Sequence, residues 1–158
     1  GLRTWARKAA NREVLHREMA SNLVTTQGRN HILDVVLHGS TQVTTWYVAP
    51  FKGNYTPVAG LTAASFTADA TETTAYDEST RVAYNEAAAS GGVTTNSANK
   101  ATFTVNEGET WYGAALLSAS AKSSTSGTCL AAARFSSSRP VEDNDEVAIT
   151  YSLTLTAT

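Results

Sequence analysis

The chain has one cysteine, Cys129, in 158 residues, which excludes an internal disulfide framework and any metal site built from several thiolates. Stability therefore has to come from packing or from association with other chains. The neighbours Thr128 and Leu130 read as strand, so Cys129 is expected to be a small buried hydrophobe rather than a reactive thiol. Charge is also scarce. Only 16% of residues are Asp, Glu, Lys or Arg, against about 25% in an average soluble domain, and Thr, Ser and Ala fill the gap. A surface this poor in charge suggests large areas facing other protein.

Other absences narrow the function. No run approaches the roughly 18 consecutive apolar residues that span a bilayer. The arginines near the start have no apolar stretch behind them, so the segment does not read as a secretory signal, and synthesis in the cytoplasm is expected. There is no Gly-x-Ser-x-Gly, no phosphate-binding glycine loop and no dinucleotide fingerprint. No local cluster offers a nucleophile with a base and an orienting acid. The expectation is a protein that is not an enzyme, with no catalytic residues and no cofactor. No repeat of 20 to 50 residues is visible, which excludes a solenoid or propeller.

The length fits one core plus an appendage, because single cores organise on the order of 100 to 200 residues. The net charge of −2 is unevenly spread. Residues 1–30 carry six basic groups (Arg3, Arg7, Lys8, Arg12, Arg17, Arg29) against Glu13 and Glu18, a balance of +4, while the remainder carries −6. Such asymmetry points to an arm that contacts acidic protein or nucleic acid, and the acidic body argues against direct nucleic-acid binding. Residues 3–21 are rich in helix formers and free of Gly and Pro, so a helical or extended arm is expected over 1–21. Its apolar positions Trp5, Ala9, Leu15 and Met19 follow helical spacing only loosely, so the arm is expected to need a partner to order.

The body is expected over 22–158. A helix is predicted at about 26–38, capped by Thr25 or Thr26, carrying Ile32, Leu33, Val35, Val36 and Leu37, and ended by Gly39 in a left-handed conformation. Beyond residue 40 the hydrophobic period changes to two. Residues 44–49 read as a strand broken by Pro50 and Gly53, and residues 54–79 as a surface excursion with a short helix near Leu61 to Phe66. Further strands are read at 81–84 and 101–105, with turn material between them. Residues 111–117 and 128–135 read as an antiparallel pair. In the last strand Val147, Ile149, Tyr151, Leu153 and Leu155 alternate with small polar residues, so one face is expected in the core. The turn before it is read at Asp143, Asn144 and Asp145. The fold class is thus mainly β, an antiparallel β-sandwich or jelly-roll-like domain with an N-terminal helical arm and one short helix.

Each candidate site also has a plainer role. His31, Asp34 and His38 can share a helix face, but no third strong ligand is near. Capping, packing or an inter-subunit contact accounts for them, and no metal is assigned. The acids Asp77, Glu78, Glu142, Asp143, Asp145 and Glu146 fall in loops where carboxylates are solvated, and they lack the spacing of a helix-loop-helix calcium site. Trp46–Tyr47 and Trp111–Tyr112 place neighbouring aromatics on opposite faces of a strand. One member of each pair is expected to leave the core, which makes Trp46, Trp111 and Tyr112 candidate interface residues on the body.

Several stretches then carry a resemblance: the opening Gly-Leu-Arg-Thr-Trp-Ala, the block Thr-Thr-Gln-Gly-Arg-Asn-His-Ile-Leu-Asp-Val-Val-Leu-His-Gly, and Thr-Trp-Tyr-Val-Ala. With the later Ser-Thr-Arg-Val-Ala-Tyr, Asn-Ser-Ala-Asn-Lys-Ala-Thr-Phe, Gly-Ala-Ala-Leu-Leu-Ser and Asp-Glu-Val-Ala-Ile-Thr-Tyr, the chain resembles small structural proteins of tailed bacteriophages. Among these it is most similar to capsid decoration (cement) proteins. The resemblance implies a virion protein on the capsid surface whose partners are the major capsid protein and other copies of itself, with no membrane. Arg3, Trp5, Arg7, Lys8 and Arg12 would form the arm interface. A tail, baseplate or head-fibre component is the structural alternative, and a carbohydrate-binding module using exposed aromatics is the alternative from another class.

Overall fold

The computed structural model describes residues 2–8 and 14–157, and for residues 2–8 and 14–20 the backbone alone. Among the described residues ten strands form two antiparallel five-stranded sheets, so the β-sandwich expectation holds. No described helix is long and apolar enough to cross a membrane.

The first sheet is organised around the last strand. β1 (Leu2–Lys8) pairs with β2 (Val14–Ala20) on one side and with β10 (Asp145–Thr154) on the other. The far edge of β10 is shared end to end: β7 (Ala101–Thr104) covers Glu146 to Ile149, and β6 (Val93–Thr95) covers Ser152 to Thr154. β10 is therefore a central strand, and its burial reflects this. Val147, Ile149 and Tyr151 enter the core as their alternation requires, but Ala148 and Thr150 are buried as well.

The opening segment corrects two expectations. Residues 2–8 and 14–20 are strands and not a helical arm, and β1 is paired within its own chain instead of waiting for a partner. Helix propensity is a weak prior that tertiary pairing overrides. In the register of this ladder Arg7 lies opposite Glu146 and Lys8 opposite Asp145. Arg12 lies outside the described residues.

Only Ser21 separates β2 from β3 (Asn22–Val24), so the chain steps there from the first sheet to the second. The second sheet runs β3, β9 (Cys129–Val141), β8 (Glu109–Leu117), β4 (Trp46–Phe51), β5 (Val82–Tyr84). The pairing of β8 with β9 is the antiparallel pair read from the sequence. β4 runs through Pro50 instead of breaking at it. β5 covers only Trp46 to Val48, so the missing proline N–H deprives no paired strand at that edge. β6 falls inside the segment read as turn material.

Helix α1 (Thr26–Leu37) stands where it was predicted. Thr25 caps it by accepting from Gly28 N at 2.9 Å, and Gly39 follows it at φ +74°. Thr25 is itself buried, donating its hydroxyl to the Cys129 carbonyl at 2.6 Å. Gly28 seats the helix on β9. A Cβ there would lie 2.1 Å from the Leu130 carbonyl oxygen, so only glycine lets the first turn approach so closely.

Two apolar clusters stabilise the sandwich. The larger lies between the sheets and contains Trp111, Phe103, Tyr76, Tyr84, Leu116, Ile149 and Tyr151. The smaller lies on the outer side of the second sheet, where Phe51, Ala115, Leu117 and Ala132 are covered by Leu61, Phe66 and Ala70. Leu61 leads into α2 (Ala63–Phe66), capped by Thr62, and on into one wide π-helical turn, Thr67–Thr71. The segment 54–79 is thus the lid of a second core, not an excursion over the surface. Its sequence hid this because the buried side chains come singly between Thr, Ala and Asp.

Burial also sets an expectation for pH. Desolvation pushes the Cys129 thiol up from 9.0 to about 12, and desolvation followed by the nearby Glu86 raises the Tyr84 phenol from 10.0 to about 12. Above about pH 9 the folded state holds protons that the unfolded state releases, so unfolding is favoured. Stability is fully present below that pH and falls as pH rises toward 12. Urea midpoints at about pH 8 and about pH 10.5 measure this, the second being lower; equal midpoints would contradict it.

Candidate interaction surfaces

The body aromatics separate clearly. Trp111 is wholly buried, edge-on to Phe103 with ring centroids 5.8 Å apart, and its Nε1 donates to Glu109 Oε1 at 2.6 Å. It is a core residue and not an interface side chain, because β8 is an interior strand whose inner face meets the opposite sheet. Its neighbour Tyr112 is half-buried with the Arg134 guanidinium 5.4 Å from its ring centre, and Arg134 Nη1 reaches the Tyr55 carbonyl at 3.2 Å. Trp46 and Tyr47 are both half-buried. Trp46 meets His31 edge to face at 5.4 Å, which ties α1 to β4.

Of the basic leader, Arg3, Trp5, Arg7 and Lys8 occupy register positions on β1 opposite Thr150, Ala148, Glu146 and Asp145. The candidate histidines do not converge. His31 is against Trp46, while Asp34 and His38 are exposed, the His38 N–H returning to the Asp34 carbonyl at 3.0 Å. Among the described residues no group of three or more His, Cys, Asp or Glu side chains is placed to hold a metal. In the acidic run 142–146, Asp145 Oδ2 accepts from Glu142 N at 2.9 Å, and Asn144 takes φ +69°. These residues build the β9–β10 turn.

Two features were missed in the sequence. The first is a buried ion pair. Arg81 Nη2 lies 2.7 Å from Glu72 Oε2 and Nε 2.8 Å from Oε1, a bidentate pair with both side chains removed from solvent. Arg81 also donates to the Ala119 and Ser124 carbonyls at 2.9 and 3.0 Å, and Ser123 N donates to Glu72 at 3.1 Å. The pair thereby holds the β8–β9 loop. No local pattern marks it, since an Arg nine residues from a Glu has no periodic meaning.

The second is an apolar outer surface on α1. Leu33, Val36 and Leu37 are 55, 71 and 78% exposed, and Leu155 beyond β10 is 78% exposed. Leu33 and Leu155 line one groove with Val24 and Ile32, and Val36 lines another with Val43 and Trp46. Here a signal was available. Five of the six residues Ile32 to Leu37 are apolar, too many for one buried stripe, so some must face outward.

The arrangement offers surfaces and framework, with grooves walled by Val, Ile and Leu. No curated protein matches the chain. The family described as Podophage GP4 fiber I protein gp80 matches residues 23–156. That match begins in β3, spans well over half the chain and takes in the helix, the lid of the second core and both sheets from that point on, and by it the chain belongs to this family of tailed-phage structural proteins.

Proposed function

We propose that the chain is a fibre subunit carried on the outside of a podophage particle, attached at the head and in contact with further copies of itself. The observation that carries this reading is the pairing of β1 with β10. A clamp over the capsid lattice calls for a leader free to lie in a groove between capsid subunits, and this leader is spent within its own chain. The family name supports the fibre reading in the same direction. The major capsid protein, or a head-vertex protein next to it, is the proposed anchor.

A second reading, a capsid decoration protein, is favoured by the charge-poor surface, at 16% charged residues. Copy number distinguishes the two. Electron cryo-microscopy of the intact particle is expected to show this sandwich at symmetry-limited positions in low multiples of the vertex symmetry. Hundreds of copies tiled across the shell would make it a decoration protein instead. The reading assigns no catalysis and no cofactor, and incubation of the purified chain with host-surface polysaccharide is expected to release no fragments.

A further inference from the structure

The exposed face of α1 is too apolar to be solvent-facing by design. Leu33, Val36 and Leu37 stand at spacings of three and four, so they form one ridge along the helix, with Leu155 beside it. Together these four side chains expose on the order of 400 Å², at the level where a contiguous patch on a soluble chain marks an interaction site.

We propose that this face is covered by a second copy of the same chain. This deepens the fibre reading by naming the surface through which copies meet, and it rests on that reading for its biological setting.

Three observations select a second copy as the occupant. Shape is the first: next to the ridge lies a groove walled by Val24, Ile32, Leu130, Leu153 and Leu155, so one chain carries both an apolar projection and an apolar recess to receive it. Charge is the second. Among the described residues, the exposed charges on α1 beside the ridge are Arg29 and Asp34, one of each sign. A copy laid across the face can set Arg29 of one chain against Asp34 of the other and leave no charge uncompensated. An anionic partner such as nucleic acid or a phospholipid surface would find one cation, already donating to Thr26 Oγ1 at 3.1 Å, and one opposing carboxylate. Area is the third: the ridge supplies roughly half of the ~800 Å² per partner of a standard stable interface, and the walls of the groove supply more.

A ridge beside its own groove is self-complementary under a twofold: each ridge enters the groove of the other copy and each Arg29 meets the Asp34 opposite, an isologous contact.

Sedimentation equilibrium of the full chain across the micromolar range tests this. The wild type is expected to associate, and Leu33→Lys with Leu37→Lys is expected to weaken association by about tenfold or more, with unchanged circular dichroism and melting. Asn106→Lys, on the exposed β7–β8 turn, serves as the matched control and is expected to associate like the wild type. Arg29→Glu and Asp34→Lys are each expected to weaken association, and the two together to restore it. A wild type that stays monomeric, a Leu33/Leu37 variant that associates normally, or a charge swap that fails to restore would each overturn the proposal. Incorporation into particles is read separately. A chain present at vertices whose Leu33/Leu37 variant still associates normally sinks this inference and spares the fibre reading, whereas association through α1 by a chain absent from particles does the reverse.

Discussion

Replacing Arg81 with alanine is expected to cost about 3–5 kcal/mol, because it leaves the Glu72 carboxylate buried with its charge unmatched. Both side chains are almost completely shielded, and the guanidinium makes four hydrogen bonds, two to Glu72 and two to the loop carbonyls of Ala119 and Ser124. For a chain of this size each kcal/mol moves the melting temperature by roughly 2–4 °C, so a fall on the order of 10 °C by calorimetry is expected. The loss has a local signature too. Ser120 accepts from the Arg81 backbone N–H at 2.8 Å, and Ser123 donates to Glu72, so amide exchange is expected to accelerate in 118–127 before the sheets open. Replacing Arg81 and Glu72 together with methionine removes the orphaned charge and recovers part of the loss. Recovery is incomplete because the Ala119 and Ser124 carbonyls and the Ser123 N–H keep no side-chain partner. A melting temperature within about a degree of wild type for Arg81→Ala would show that solvent reaches Glu72.

Trp111→Ala is the second large effect, expected at about 3–5 kcal/mol from lost burial and the cavity left behind. The ring fills the space between β8 and Phe103, and its N–H is one of three donors to Glu109, the others being Thr73 Oγ1 and Lys52 Nζ, the latter at 3.1 Å. Trp111→Phe separates the two contributions. It keeps most of the apolar volume and removes the indole donor, so about 1–3 kcal/mol is expected from the weakened Glu109 network. Chemical denaturation followed by circular dichroism measures both. If the phenylalanine variant lost as much as the alanine variant, the hydrogen bond and not the packing would be the dominant contribution.

Much of the architecture was written in local patterns. The period of two in Val147, Ile149 and Tyr151, the cap-and-glycine bracket around α1, and the β-branched run at 101–105 are each fixed by neighbours a few residues away, so a reading along the chain finds them. What was not legible depends on distant partners. β1 looks helical by composition and is a strand paired with β10, about 140 residues later, whose open edge no local pattern announces. The lid over the second core is invisible for the same reason: Leu61, Phe66 and Ala70 have no periodicity of their own and gain meaning from Phe51 and Leu117 beneath them. Strand alternation turns Trp111 and Tyr112 to opposite faces, but which of them meets the larger core is decided by the opposite sheet. The interaction surface was half legible, since the apolar excess in Ile32 to Leu37 was plain and its outward direction was not.

The position of β10 has a consequence for biosynthesis. It is the neighbour that β1, β6 and β7 share, and the ribosome makes it after all three. Until residues 145–154 emerge, three strands wait with open hydrogen-bonding edges, and the first sheet cannot begin to close as one piece. A nascent chain in that condition invites pairing with its neighbours on the same polysome. The first sheet is therefore completed only once β10 is free, which leaves its strand edges open to neighbouring chains until then.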